Sequence, residues 1–364
     1  MSKLLIVESY GGIPHALQIA TANYQICPVL IVFPGFPDLF RLFHLLNQKV
    51  FHEKIQLMHF EAHTPRWTTN KGIGRLFCIL PDILAERRYL KATFDTSLKH
   101  LEGVEVFFFS RGFNGMKLYL LDKLRRKNRL VYVTPKGPPY MIQYKPQTLA
   151  DLSKLAIWKL TYGRDVVLGQ LPIVRSFLYI SESFIEKKVS QVIDEPEADR
   201  MLEGLDLDQF RVFDARNYRV IFFHEDLVGV GYVSSEDLWH QELGRVFAIV
   251  KKHFPPKDIA VKFYPGYLGD TQVLDACIDT IPSFLPAELL YRNGRQLSVA
   301  VFSRSIANLR SGLAFSIADL ITFKNEHIRN ELKENLRVAS RSEILFPQSL
   351  AELDRMLADF KAKT

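Results

Sequence analysis

At 364 residues the chain exceeds what one hydrophobic core ordinarily supports, which favours two domains. Apolar residues make up 48% and charged residues 24%, which excludes a disordered chain and lets both domains bury a core. The net charge of +7 suits phosphorylated substrates or an anionic membrane face, whereas nucleic acid is set aside because no binding motif or basic-aromatic stripe accompanies it.

In chain order, Leu4 to Val7 reads as a buried strand, followed by the turn Tyr10-Gly11-Gly12 and a helix from about Pro14, where proline suits a first turn. Val29 to Phe33 is a second strand. After Pro34-Gly35-Phe36-Pro37 comes a helix with Leu39, Leu42, Phe43 and Leu46 at helical spacing, and Lys54 to Phe60 continues the alternation. Val104 to Phe109, a helix over Met116 to Lys127 and the strand Leu130 to Val133 make a βαβ unit with a right-handed crossover. Thr134 to about Arg216 is irregular and carries the domain junction.

The alternation restarts at Tyr218 to Phe223. A helix follows Ser234-Ser235-Glu236-Asp237, in which Ser234 and Asp237 resemble a capping box, and Trp239, Leu243, Val246 and Val250 share its core face. Ile259 to Phe263 and Leu297 to Phe302 are further strands, ending at Tyr264-Pro265-Gly266 and Ser303-Arg304-Ser305. Charged and amphipathic helices close the chain, around Lys324 to Arg337 and from Ser349, the last expected to pack back across both domains. Segments thus alternate strand and helix, as in a mainly parallel α/β sheet.

Cys27, Cys78 and Cys277 are odd in number and without a C-x-x-C pair, against a disulfide framework or a cysteine-rich zinc site. No apolar run is of membrane-spanning length and Met1-Ser2-Lys3 opens directly onto a strand, so a cytoplasmic location is expected. Lys123, Arg125, Arg126, Lys127 and Arg129 cluster, either as a helix end whose cations complement the macrodipole or as a peripheral contact with anionic membrane. His59, Glu61 and His63 are close together but lack the H-E-x-x-H pattern. G-x-G-x-x-G, P-loop and G-x-S-x-G signatures are missing, which disfavours nicotinamide, ATP and serine-hydrolase chemistry.

Open α/β sheets bind ligands at the carboxyl ends of their strands. Lys262, Tyr264 and Pro265 end one strand, Ser303, Arg304 and Ser305 end another, and Ile281-Pro282-Ser283 with Glu288 lie between. Hydroxyls, backbone N–H groups and cations at one sheet edge suit a phosphate, and Glu288 suits ribose hydroxyls. The competing reading makes the serines caps, Tyr264-Pro265 a turn and Glu288 a solvated residue. His224, Glu225 and Asp226 end a neighbouring strand, either as ligand contacts or as loop caps.

The run Val220 to Asp226, Val233 to Glu236, Val261 to Pro265, Ile281 to Ser283 with Glu288, and Val299 to Ser305 resembles the carboxyl half of bacterial sialyltransferases of the GT-B type, including lipooligosaccharide sialyltransferases and capsule polysialyltransferases. Weaker similarity extends through Val106 to Tyr144. The resemblance implies an α/β chain of two Rossmann-like domains facing a cleft. It divides the chain into an acceptor domain over 1–175, a linker over 176–215, a nucleotide-sugar domain over 216–340 and a terminal helix over 341–364. It further implies inverting transfer, with no cofactor and no metal, from a CMP-linked nonulosonic acid such as sialic acid to a glycan or glycolipid acceptor.

By position, Lys262, Tyr264, Pro265, Glu288, Ser303, Arg304 and Ser305 would hold the nucleotide-sugar donor, and His224 at the neighbouring strand end is counted with them. Tyr264 stands where the family has histidine, so charge compensation falls to Lys262 or Arg304. Thr134-Pro135-Lys136-Gly137 replaces an acidic-acidic-glycine motif, leaving Glu8 and His15 beside the first glycine turn as candidate bases. A UDP- or GDP-sugar donor, a nucleotide-sugar epimerase and a non-catalytic binding module remain alternatives.

Overall fold

A computed structural model describes residues 1–61, 74–111, 115–133, 142–143, 155–156, 159, 166–170, 176–181, 184–185, 191–194, 197–198, 200–201, 207–264, 278–291, 295–307, 313–340 and 343–363. The chain divides into two units, Met1–Asp206 and Leu207–Thr364.

The first unit begins with β1 (Lys3–Ile6), a 3-10 turn (Tyr10–Gly12), α1 (Ile13–Asn23), β2 (Val29–Pro34), α2 (Pro37–Lys49) and β3 (Gln56–Phe60). It continues through α3 (Gly74–Ser97), β4 (Glu105–Phe108), α4 (Gly115–Leu124) and β5 (Arg129–Val133). All neighbours in its main sheet run parallel, in the order β3-β2-β1-β4-β5 and then β9 (Gln191–Ile193). The central strands are nearly continuous apolar runs because helices cover both faces of such a sheet; Leu4, Leu5, Ile6, Ile31, Val32 and Phe33 are at most 1% exposed. Three short antiparallel strands, β6 (Ile142–Gln143), β7 (Val166–Gln170) and β8 (Ser176–Ile180), form a separate sheet.

The second unit contains β10 (Phe213–Asp214), β11 (Val220–His224), α5 (Glu236–His253), β12 (Ile259–Phe263), β13 (Asp279–Ile281), β14 (Leu290–Tyr291) and β15 (Leu297–Ala300). After these come α6 (Arg304–Ala307), β16 (Leu313–Ser316), α7 (Glu326–Ala339), β17 (Ile344–Leu345) and α8 (Leu350–Lys363). Its main sheet is again parallel, in the order β13-β12-β11-β15-β16-β17. Numbered within its own sheet, each unit therefore reads 3-2-1-4-5-6, the doubly wound order whose direction of winding reverses beside the first strand. The sequence shows no repeat, yet the topology is duplicated.

Several sequence expectations are corrected. The segment read as irregular supplies β9, and with it the sixth strand of the first sheet. α3 was not anticipated, in part because Pro81 lies within it. The cap of α5 is Ser235, whose Oγ accepts from Leu238 N at 3.3 Å; Asp237 falls inside the first turn with Glu236, where both complement the helix dipole. The core face of α5 is as expected, with Trp239, Leu243, Val246 and Val250 all buried.

The terminal helix α8 packs on α5 of its own unit. Leu353, Leu357 and Phe360 join that core, and Asp354 Oδ2 accepts from Lys252 Nζ at 2.6 Å. The basic cluster at the end of α4 is interleaved with carboxylates: Arg125 pairs with Asp122, Lys127 with Glu102 and Arg129 with Glu105. These pairs dilute the local positive charge that contact with anionic lipid would use. Among the described residues no helix is long and apolar enough to cross a membrane, and no group of three or more potential metal ligands converges; His63 lies outside them.

Candidate functional site

Doubly wound sheets bind ligands outside the carboxyl ends of their strands, at the point where the strand order reverses. That point lies between β1 and β4 in the first unit and between β11 and β15 in the second. Ile6 is the last residue of β1 paired to β4, and Phe223 the last of β11 paired to β15. Glu8 and Glu225 each stand two residues beyond. The two units thus place a carboxylate at equivalent positions of their reversal points, and each neutralises it differently.

In the first unit the partner is an ammonium. Lys117 Nζ, carried in by α4, lies 2.5 Å from Glu8 Oε1 and donates to the Ser110 carbonyl at 2.9 Å. Both side chains are enclosed, at 0% exposure for Lys117 and 5% for Glu8. Burial raises the Glu8 carboxyl and lowers the Lys117 ammonium, and their mutual attraction opposes both shifts. Tyr132 on β5 is pushed up to about 12 by burial, with Glu8 adding to the rise and Arg111 opposing it. Arg111 Nε and Nη2 in turn donate to the Ile180 carbonyl at 3.3 and 3.2 Å, fastening β8 to the end of β4.

His15 is 2% exposed, and its ring stacks on Phe109 at 6.3 Å with an 8° interplanar angle. The glycine turn before it is a packing requirement, because a Cβ on Gly12 would come within 2.8 Å of Phe109 Cβ. His15 is thus packed in the core of the first unit, as Glu8 is enclosed with Lys117. The Thr134–Gly137 motif lies outside the described residues.

In the second unit the partners are backbone amides. Val301 N donates to Glu225 Oε2 at 2.7 Å, and Phe302 N donates to both carboxylate oxygens at 3.0 and 2.9 Å. Burial pushes the Glu225 carboxyl up to about 7 against the opposing bonds from Phe302, Val301 and Ser303 N–H. Immediately beyond, Ser303 Oγ accepts from Ser305 N at 3.2 Å, a capping turn that leads into α6. Ser303 and Ser305 are both partly exposed, and Tyr264 is 58% exposed at the end of β12.

Two other residues expected at the donor site are engaged within the protein. Lys262 is 5% exposed, and its ammonium donates to the Phe263 and Ser283 carbonyls at 2.8 Å each, joining the end of β12 to the loop after β13. His224 is 5% exposed, packs against Trp239 and Phe263, and accepts from Trp239 Nε1 at 3.3 Å. Glu288 lies in the 3-10 turn Ala287–Leu289 and Arg304 begins α6; Pro265 lies outside the described residues. A cavity of about 220 Å³ lined by Asp319 to Phe323, Glu326 and Arg329 follows the end of β16. Phe323 of its lining packs on Phe302, with ring centroids 5.3 Å apart.

The His224 environment has a measurable consequence. Burial, with repulsion from His240 added, lowers its imidazole from 6.5 to about 4. The unfolded chain takes up this proton near ~6.5 and the folded one does not, so stability is full above that pH and is lost as pH falls toward 4. Denaturant titrations should show the parent losing about 2–3 kcal/mol more than His224→Gln between pH 7 and pH 4.5. Equal losses in the two proteins would mean that the imidazole takes up its proton over the same pH range in the folded and unfolded chain.

Lys117 is not singled out by the sequence reading, although a lysine inside the otherwise apolar Met116 to Leu121 run was the available signal. Glu225 is singled out with His224 and Asp226 by its place after a strand, as a ligand contact or loop cap, and the structure makes it the acceptor of main-chain N–H groups at 301 and 302.

Fold and edges together define a chain of two doubly wound α/β units, each with a carboxylate at its reversal point. No family model matches the chain, and neither does any curated protein. Solved structures that the chain is similar to include the apo form of UGT2 from Phytolacca americana, at 10% identity and a TM-score of 0.36 over 100% of this chain and 93% of that one. Another is the glycosyltransferase VinC in complex with DTDP, at 10% identity and a TM-score of 0.31 over 100% of both chains. Likeness at this level carries no information about donor or reaction.

Proposed function

We propose that this chain is a sugar transferase that takes a nucleotide-activated donor at the carboxyl edge of the second sheet. The observation that carries the reading is the duplicated 3-2-1-4-5-6 parallel sheet, each copy with a carboxylate at its reversal point. In the second copy the carboxyl edge presents Ser303, Ser305 and Tyr264 as exposed or partly exposed hydroxyls. Hydroxyls and backbone amides suit a phosphate. A CMP-linked nonulosonic acid is the donor that the motif resemblance from Tyr218 onward supports, and a glycan hydroxyl the acceptor. Pro265, Glu288 and Arg304 keep their proposed place in the donor set through that resemblance. Lys262 and His224 shape the edge from within.

Chemically, transfer needs the acceptor hydroxyl deprotonated and the departing phosphate stabilised. Glu8 is assigned the first task, with Lys117 holding its carboxylate in place. The second falls to hydroxyls and amides of the 301–305 turn, with Arg304 as the cation.

A second reading, a binding module without turnover, is favoured by one observation: the ammonium of Lys262 is already engaged by two carbonyls. Thermal melting with CMP, UDP and GDP in turn tests the shared premise. The true nucleotide, at about 100 times its dissociation constant, should add about 2.7 kcal/mol. No shift with any of the three rejects the donor site. A CMP shift with no sugar transfer across a broad acceptor panel favours the binding module.

A further inference from the structure

The carboxylate equivalence between the two units points to a residue outside the donor set. Glu8 is matched by a lysine from a helix, whereas Glu225 is matched by the main chain of the very turn that carries the serines. Val301 N and Phe302 N both donate to it, across the reversal point from β11 to the end of β15. Ser303 N–H adds a further bond to Glu225, and Ser305 N donates to Ser303 Oγ at 3.2 Å. On the far side of the turn, Ser316 Oγ donates to the Val301 carbonyl at 2.7 Å and Ile317 N to the Ala300 carbonyl at 2.9 Å. Peptide groups 300–302 are thus gripped from both neighbouring strands, with donors satisfied by Glu225 and acceptors by β16 and its continuation.

We infer that Glu225 is the positioning residue of the donor edge, its carboxylate setting the 301–303 main chain so that the Ser303 and Ser305 hydroxyls face the donor phosphate. This rests on the sugar-transfer reading above. Glu225 acts through the turn and takes no proton in the reaction. A carboxylate suits this place because Oε2 accepts from both Val301 N and Phe302 N while Oε1 takes a second bond from Phe302 N, and its charge strengthens each of them, whereas an amide would turn an NH2 toward a donor at one of the two positions. An unmade bond at a partly enclosed amide lets the turn relax.

The test compares parent and Glu225→Gln by calorimetry with CMP, with UDP and GDP in parallel, and by amide hydrogen exchange. Exchange at Val301 and Phe302 should quicken at least about tenfold in the variant, while the β11 and β12 amides stay protected. The dissociation constant for CMP should rise about tenfold, and in transfer assays kcat/KM for the donor should fall by at least that factor. A variant that binds CMP as the parent does, or whose Val301 and Phe302 amides stay protected, overturns the inference alone. A parent that binds none of the three nucleotides overturns the sugar-transfer reading and this inference with it. Should Glu225→Gln not fold, Glu225→Asp, which keeps the charge but shortens the reach, is read by the same criteria.

Discussion

Replacing Lys117 by methionine should destabilise the first unit by about 3–5 kcal/mol, the cost of leaving a buried carboxylate without its cation. Lys117 is fully enclosed and its ammonium lies 2.5 Å from Glu8 Oε1, with the Ser110 carbonyl as a second acceptor. Methionine keeps the length of the side chain and removes the charge, so packing changes little and the loss reports the electrostatics. Adding Glu8→Leu to Lys117→Met should restore most of it, because an apolar pair of similar volume is often as stable as the buried ion pair it replaces. Denaturant unfolding followed by exchange of the β1 and β4 amides resolves the first unit from the second. A loss below about 1 kcal/mol for Lys117→Met would show that Glu8 is neutral in the fold, since only an ionised carboxylate demands the partner.

Glu8→Gln should lower the rate of sugar transfer by about 10²–10⁴-fold, the usual contribution of a positioned base, while CMP affinity in the second unit is unchanged. Glutamine fills the same space but cannot accept the acceptor's proton. It also leaves Lys117 without its counter-ion, so the folded fraction must be measured alongside and the rate expressed per folded molecule. His15→Gln, which alters a stacked core ring, should change the rate only in proportion to folding. A Glu8→Gln rate within about threefold of the parent would place the base elsewhere and leave the Glu8–Lys117 pair a purely structural device.

Much of the scaffold is legible along the chain because buried parallel strands are continuous apolar runs. Val220 to Phe223 and Ile259 to Phe263 declare themselves with no reference to their neighbours, and the 3.6-residue periodicity of Trp239 to Val250 does the same for α5. Short or interrupted elements are not legible. β9 has three residues and is a strand only because β5 offers it a ladder, and α3 continues past Pro81 where local preference argues for a break.

The candidate site divides in the same way. Glu8, Ser303 and Ser305 are placed at sheet edges by their position after a strand, which a sequence exposes. What each side chain does there depends on partners far along the chain: Lys117 for Glu8, Val301 and Phe302 for Glu225, and Ser283 for Lys262. A lysine near the end of a strand reads as a phosphate ligand until a carbonyl from another loop takes its ammonium. The sequence by itself determined the two α/β halves and which residues end their strands, since burial periodicity is a local property of the chain. Tertiary structure alone decided the duplicated strand order, the equivalence of Glu8 and Glu225, and which polar groups are left facing outward, because hydrogen-bond satisfaction is settled between segments that meet only when the sheet is built.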